Sequence, residues 1–248
     1  MVIMNEQVAK NDVIRQLQKE VLSLQGNIIP TADQRWKTAL GPIEKAFPNS
    51  TFPIGAVHEF ISNTQENTAA TNGFISGLLS GFMKKEGICL WVGTKRTIFP
   101  PALIAFGIQP ERIIFIDVAK SKEVLWVIEE GLKCNTLIAV VGELQELSFT
   151  ESRRLQLAVE ESRVTGFIHR YKPKSENTVA CVSRWKINPL RSIIEDGMPG
   201  VGAPRWNVQL AKVRNGKPGS WDVEWTANTF RFLTRTLAIP ELETRKAG

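Results

Sequence analysis

The sequence has few residues of the kinds that bind metals or form disulfides: two histidines and three cysteines among 248 residues. Cys89, Cys134 and Cys181 are far apart and no CxxC pair occurs, which argues against a zinc site or a disulfide framework. Each lies in an apolar run, so we expect all three to be buried as small hydrophobic side chains. His58 and His169 each lie in a predicted strand with no other His or Cys nearby, so the sequence predicts no metal site.

Long hydrophobic runs are also absent. No apolar stretch reaches the roughly 18 residues that a membrane-spanning helix needs. The first residues, MVIMNEQVAKND, lack a signal-peptide pattern because charged residues follow the short apolar stretch at once. These absences lead us to expect a cytoplasmic protein, with one α/β domain and a short appendage at each end.

Charge is only mildly unbalanced, with a formal net charge of +6 and a pI of about 9.3. Such an excess permits a nucleic-acid partner but does not require one. The seven tryptophans are unevenly spread, and four of them, Trp185, Trp206, Trp221 and Trp225, fall in the last third of the chain.

The centre of the chain alternates between two kinds of pattern. Apolar runs rich in β-branched residues occur at 55–61, 88–93, 112–118, 136–142, 164–170 and 178–187. Helical patterns lie between them, over about 67–84, from Pro100 onward, over 121–133 and over 151–163. Near-continuous apolar strands that alternate with helices predict an α/β fold with a mostly parallel sheet covered on both faces.

The two ends differ from this centre. Residues 5–25 predict an amphipathic helix, whose apolar side chains Val8, Ile14, Leu17, Val21 and Leu24 recur at helical spacing. A lone amphipathic helix cannot bury its own stripe, so it packs either on its own domain or on another protomer or partner. Residues 204–225 predict an antiparallel hairpin around the turn RNGKPGS. We therefore divide the chain into a helix (1–28), a linker (29–52), a core (53–190) and a linker with hairpin and tail (191–248).

Specific stretches of the sequence resemble a known family. From Pro53 to Pro189 the order of elements is similar to the RecA fold, with FPIGAVHEF as the strand that leads into a P-loop. PIGAVHEF, FPPALIAFGI, IAVVGEL, ESRRLQLAVEES with TGFIHR, and APRWNVQLAKVRNGKPGSWDVEW resemble the ImuA family more closely. The resemblance covers about 50 to 226. It implies a RecA-like P-loop NTPase fold with an N-terminal helix and a C-terminal β-hairpin, and a relationship to SulA.

The P-loop of this fold requires GxxxxGK[ST], in which backbone N–H groups close around phosphates, lysine meets the β/γ charge and a hydroxyl holds Mg²⁺. The corresponding stretch here runs from Ser62 to Thr68, which we take to keep the loop length. Ser62 and Glu66 replace the glycines, and Asn67 stands at the lysine position. Only Thr68 retains the residue type that the motif requires. No GK[ST] occurs anywhere in the chain, so the sequence predicts a degenerate nucleotide-binding loop.

The other two catalytic positions of RecA-type enzymes are also changed. Lys95 stands where the family has the glutamate that polarises water, and Val141 stands where it has the metal-holding aspartate. Glu143, two residues on, is a weaker candidate substitute. Because phosphoryl transfer depends on placed charge and metal, we expect no catalysis and no cofactor, although weak nucleotide binding is less firmly excluded.

A basic stretch near the C-terminus offers a candidate surface for DNA or a partner. Its members between 184 and 217 are Arg184, Lys186, Arg191, Arg205, Lys212, Arg214 and Lys217, with Trp185 and Trp206 among them. Basic residues beside exposed aromatic rings suit single-stranded DNA. The alternative is that the basic residues form a solvated strand face and that the tryptophans lie in the core beneath it. For the tryptophans we favour this alternative.

The ImuA resemblance implies a non-catalytic accessory protein, a pseudo-ATPase, in DNA repair during the SOS response to DNA damage. Its implied partners are an ImuB-type Y-family polymerase homologue and a DnaE-type polymerase, in support of error-prone translesion synthesis. The stripe of Ile14, Leu17, Val21 and Leu24 is the expected contact with RecA or a second copy. The alternatives are a divergent DNA-dependent ATPase and a SulA-like inhibitor of cell division.

Overall fold

The computed structural model describes residues 40–83, 87–193 and 202–233. Within these ranges the strands are β1 (Val57–Ser62), β2 (Ile88–Gly93), β3 (Ile113–Asp117), β4 (Leu137–Leu144), β5 (Thr165–Tyr171), β6 (Ser183–Leu190), β7 (Arg205–Val213), β8 (Gly219–Thr226) and β9 (Thr229–Phe232). They form a single sheet in the order β3-β2-β4-β5-β1-β6-β7-β8-β9. The pairs from β3 to β6 are parallel, and those from β6 to β9 are antiparallel.

Three α-helices cover this sheet: α1 (Gln65–Phe82), α2 (Ser121–Lys133) and α3 (Phe149–Ser162). Short 3₁₀ helices occupy Gly41–Ala46, Pro48–Ser50, Pro100–Phe106 and Pro110–Arg112. Helix α3 begins with a capping box, in which the Ser148 hydroxyl accepts from the Glu151 N–H and the Glu151 carboxylate accepts from the Ser148 N–H. Such reciprocal bonds satisfy two backbone donors that the first turn would otherwise leave free.

The two faces of the sheet bury separate apolar clusters, as alternation along the strands requires. One cluster joins α1 to the inward side chains of the sheet, among them Phe60, Val141 and Trp185. The other lies under α2 and α3 and includes Val57, Val140 and Ile168. Successive residues of β4 thus point to opposite cores, which confirms a sheet covered on both faces.

Three segments differ from the sequence-based prediction. Residues 178–182 precede β6 as an irregular segment, because Ser183 is where pairing with β1 begins. Strand β9 lies in the predicted tail, and β7 to β9 continue the core sheet instead of forming an appendage. Leu40, Ile43 and Phe47, within the predicted linker, are buried in the α1 core.

In the part of the chain that the structure describes, no helix is both long enough and apolar enough to cross a bilayer. Cys89 and Cys181 are buried as predicted, whereas Cys134 is exposed. Cys134 immediately follows the last residue of α2 and precedes the apolar residues of the next strand, so it lies outside the core.

Candidate functional site

The junction between β1 and α1 occupies the position of a P-loop in this order of elements. Strand β1 ends at Ser62 and α1 begins at Gln65, so only Asn63 and Thr64 lie between them. The prediction that the loop length is kept is wrong: the stretch from Ser62 to Thr68 is seven residues long, one fewer than GxxxxGK[ST], and α1 already begins within it. A phosphate cradle needs a run of consecutive backbone N–H groups that curve around the anion. Here only two residues precede the helix, and the Asn67 N–H of its first turn is bonded to the Thr64 hydroxyl.

The polar side chains at the start of α1 bind to the protein itself. The Thr64 hydroxyl accepts from the Asn67 N–H at 3.2 Å and so caps the helix. The Asn67 amide, at the lysine position, donates to the Ile187 carbonyl at 3.2 Å and to the Asn188 side chain at 3.0 Å. The Thr68 hydroxyl donates to the Thr64 carbonyl at 3.0 Å. The positions that would meet phosphate and metal are used to tie α1 to β6 and to its own first turn.

Glu66 adds a negative charge to this helix terminus. Its side chain is exposed, and the pKa of its carboxyl is lowered by a hydrogen bond with the Thr64 side chain and by another from its own backbone N–H. An anion at a helix N-terminus is favourable because it meets the positive end of the helix dipole. The carboxylate thus takes the electrostatic role that a phosphate has in a nucleotide-binding protein, and it would repel an approaching phosphate.

Beneath α1, Ser62 belongs to a buried network of neutral groups. Its hydroxyl oxygen lies 2.8 Å from the Thr71 hydroxyl oxygen and 2.9 Å from Nε2 of His169. Burial lowers the pKa of His169 to about 4, so its ring is neutral at physiological pH. No positive charge is therefore supplied by this network at the end of β1.

The two other catalytic positions are separated in the structure. Val141 is fully buried in the α1 core, whereas Lys95 is exposed in the segment that follows β2. Glu143 lies near the end of β4, where its carboxylate accepts from Nε1 of Trp91 at 2.7 Å and from the Thr97 hydroxyl at 2.6 Å. Burial raises the pKa of Glu143. Among the described residues, no three His, Cys, Asp or Glu side chains come together as a metal site would require.

Most of the basic residues near the C-terminus have internal partners. Arg184 pairs with Glu59, Lys186 with Glu176, and Arg205 with Glu224, while Arg214 donates to the Ala180 carbonyl and Lys212 to the Val179 carbonyl. Arg191 and Lys217 are exposed. The residues lie on two adjacent strands and the hairpin turn, with Arg184 opposite Lys212 in the register of β6 and β7. Their use as a binding surface stays a prediction.

The tryptophans of this stretch lie in the core, as the solvated-face alternative predicts. Trp185 is fully buried and stacks on Phe60 with ring centroids 6.0 Å apart, and Trp206 is 4% exposed. Nε1 of Trp185 donates to the Ser183 hydroxyl at 2.7 Å. Neither ring presents a face on which a base could stack.

A buried charge cluster was missed by the sequence analysis. Glu59, in the middle of β1, is fully buried between Arg170 at 2.7 Å and Arg184 at 2.5 Å. Arg170 also donates to the Ser175 carbonyl, and Arg184 to the Asn177 carbonyl, so the pair holds the segment between β5 and β6. The sequence signal that could have identified this cluster is Glu59, a carboxylate within an apolar strand. A buried charge requires a partner, so its position predicts nearby basic residues.

The predicted contact residues Ile14, Leu17, Val21 and Leu24 lie outside the described residues. Their docking on RecA or on a second copy stays a prediction.

By sequence, the chain is similar to proteins described as Protein ImuA. No protein-family model matches the chain. The chain is 32% identical over 191 residues to Protein ImuA of Caulobacter vibrioides strain NA1000 / CB15N, and the match covers 72% of the chain and 78% of the relative. Protein ImuA of a second strain of that species, ATCC 19089 / CIP 103742 / CB 15, matches equally.

Solved structures agree on the architecture. The RadB recombinase matches with a TM-score of 0.51 and 15% identity, over 74% of this chain and 93% of that one. A KaiC-like protein of Pyrococcus horikoshii OT3 matches with a TM-score of 0.53 and 13% identity, over 81% and 99%. At such low identity these likenesses concern the fold alone. They confirm the RecA-like α/β fold with a mostly parallel sheet.

Proposed function

The chain belongs to the ImuA family, and from that premise we propose that it is a RecA-like accessory protein that supports error-prone DNA synthesis without hydrolysing ATP. The observation that carries the proposal is the two-residue junction between β1 and α1. Around it, Asn67 and Thr68 are bonded within the protein and Glu66 supplies the anion at the helix terminus. Phosphoryl transfer needs a placed cation and metal ligands at this point. Among the described residues, Asn67 occupies the lysine position, and the nearby charge of Lys172, just after β5, acts on the Glu66 carboxylate.

The partners that we propose follow from the family resemblance: an ImuB-type Y-family polymerase homologue and a DnaE-type polymerase, met in the cytoplasm after DNA damage. Protein contacts are favoured over stacking on single-stranded DNA because Trp185 and Trp206 are buried. Arg191, Lys212, Arg214 and Lys217 are exposed cations with which this surface would meet an acidic partner or a DNA backbone.

A mutagenesis assay in cells tests this function. A strain that lacks its own copy is complemented with the unsubstituted chain or with Thr68→Ala, and mutation frequency is measured after DNA damage. We expect Thr68→Ala to restore the full frequency, because its hydroxyl bonds only to the Thr64 carbonyl. Leu78→Asp serves as the control, since Leu78 is fully buried and a carboxylate there should prevent folding. A frequency at the level of the empty strain, with Thr68→Ala at normal abundance, would contradict the proposal.

A further inference from the structure

An apolar groove lies on the α1 side of the sheet, beside the degenerate junction. It has a cavity volume of about 640 Å³ and runs between α1, the 3₁₀ helix Pro100–Phe106 and the adjoining ends of β6 and β7. Its floor and walls include Ala69, Gly73, Leu103, Leu190 and Trp206. A groove of this size can receive several apolar side chains of a peptide.

The rim of this groove carries hydrophobic side chains that the described residues leave exposed. Phe99, which lines the groove at the start of the 3₁₀ helix, is 69% exposed. Leu190, on the opposite side, is 38% exposed. Large apolar side chains clustered at the mouth of a groove mark an interaction site rather than ordinary scattered surface residues.

The N-terminal part of the same chain has the complementary need. Residues 5–25 predict a helix with the stripe Ile14, Leu17, Val21 and Leu24 and no second apolar surface of their own. Gln18 is four residues from Ile14 and three from Val21, so on that helix it adjoins the stripe. The predicted helix therefore offers an apolar face that requires a surface to cover it.

The point at which the described chain begins makes this contact sterically accessible. Leu40 is fully buried in the same core as Leu103 and Trp206, so the chain enters on the groove's side of the sheet. Residues 26–39 connect the predicted helix to that point, and when extended they span about 46 Å at roughly 3.3 Å per residue. A connection of that length is longer than α1, whose 18 residues span about 27 Å.

We propose that the N-terminal helix of each chain docks in its own groove, with its apolar stripe against Phe99 and Leu190. The contact covers the groove next to the closed P-loop position within one molecule. It is independent of the proposed function, because it concerns how the chain packs on itself and not which polymerase it assists.

Cross-linking in the full-length chain tests the docking. In a Cys134→Ser background, which removes the exposed cysteine, one variant carries Gln18→Cys with Ala102→Cys, an exposed position that lines the groove without being one of the proposed contacts. A matched control carries Gln18→Cys with Lys122→Cys, on α2 at the opposite face of the sheet. At low protein concentration with a short bismaleimide, we expect the groove pair to cross-link at monomer mass roughly tenfold faster than the control, because docking raises the effective concentration of the two thiols.

Adding Leu17→Asp and Val21→Asp to the groove pair should reduce its rate to that of the control, while circular dichroism and the unfolding midpoint report that the core is still folded. Two outcomes overturn the proposal. Equal rates in the two pairs would mean that the helix does not lie in the groove. Cross-links found only at dimer mass would mean that the helix of a second copy occupies it.

Discussion

At the scale of single residues, the two histidines of the chain share one property, which is that burial keeps them neutral. Nε2 of His58 donates to the Pro53 carbonyl at 2.7 Å, and Nδ1 accepts from the Ser183 hydroxyl at 2.7 Å. Burial lowers the pKa of His58 to about 4, as it does for His169. Both were predicted to lie in strands, and that prediction is confirmed by their positions in β1 and β5.

These two pKa values predict loss of stability in mild acid. In the unfolded chain each histidine has a pKa of about 6.5 and binds a proton more readily than in the folded chain. The stabilisation is therefore complete above about pH 6.5 and is lost as the pH falls toward 4. At about 1.4 kcal/mol per pKa unit, each histidine contributes about 3 kcal/mol to the loss.

Urea unfolding at about pH 7.5 and about pH 4.5 measures this effect. His169→Gln, whose amide can still bond to Ser62, should show a shallower decline in the free energy of unfolding than the parent chain. A decline of equal size in both proteins would show that His169 is not the group that titrates.

At the scale of elements, the junction between β1 and α1 depends on its cap. Thr64→Ala removes the hydroxyl that accepts from the Asn67 N–H, and we expect the free energy of unfolding to fall by about 1 kcal/mol. Thr64→Ser keeps the hydroxyl and should be close to the parent chain. Chemical denaturation of the three proteins gives the comparison, and a loss as large in Thr64→Ser as in Thr64→Ala would show that the cap is not the source.

Most elements could be predicted because their signals are local. Helix α2 was predicted at its observed bounds, and β2 likewise, since each has a periodic or continuous apolar pattern with clear ends. The short junction after β1 was missed because the P-loop length was taken over from the resemblance, whereas the Thr64 cap starts the helix early. Strand β9 was missed because pairing with β8, and not its own pattern, forms it.

The candidate site was only partly accessible from sequence. The loss of lysine and glycines could be read directly, since it depends on residue type alone. The bonds of Asn67 to β6 could not, because they join residues 120 or more positions apart. For the same reason Arg184 and Arg205 were assigned to a binding surface, although Glu59 and Glu224 pair with them in the folded protein.

At the scale of the whole molecule, one sheet joins a parallel half to an antiparallel half. In open parallel sheets, ligands bind at the carboxyl ends of the strands. Here α1 follows β1 at that edge, and the apolar groove lies beside it. The RecA-like sheet is thus kept, while Asn67, at the lysine position, is bonded to β6.

Phosphate release from ATP is the most direct measurement of this account. The pure full-length chain is incubated with ATP and Mg²⁺, with and without single-stranded DNA, beside the Thr68→Ala variant. The account predicts no release above the background of a protein-free control in either protein under either condition. Magnesium-dependent turnover in the parent chain that is abolished by Thr68→Ala would contradict it.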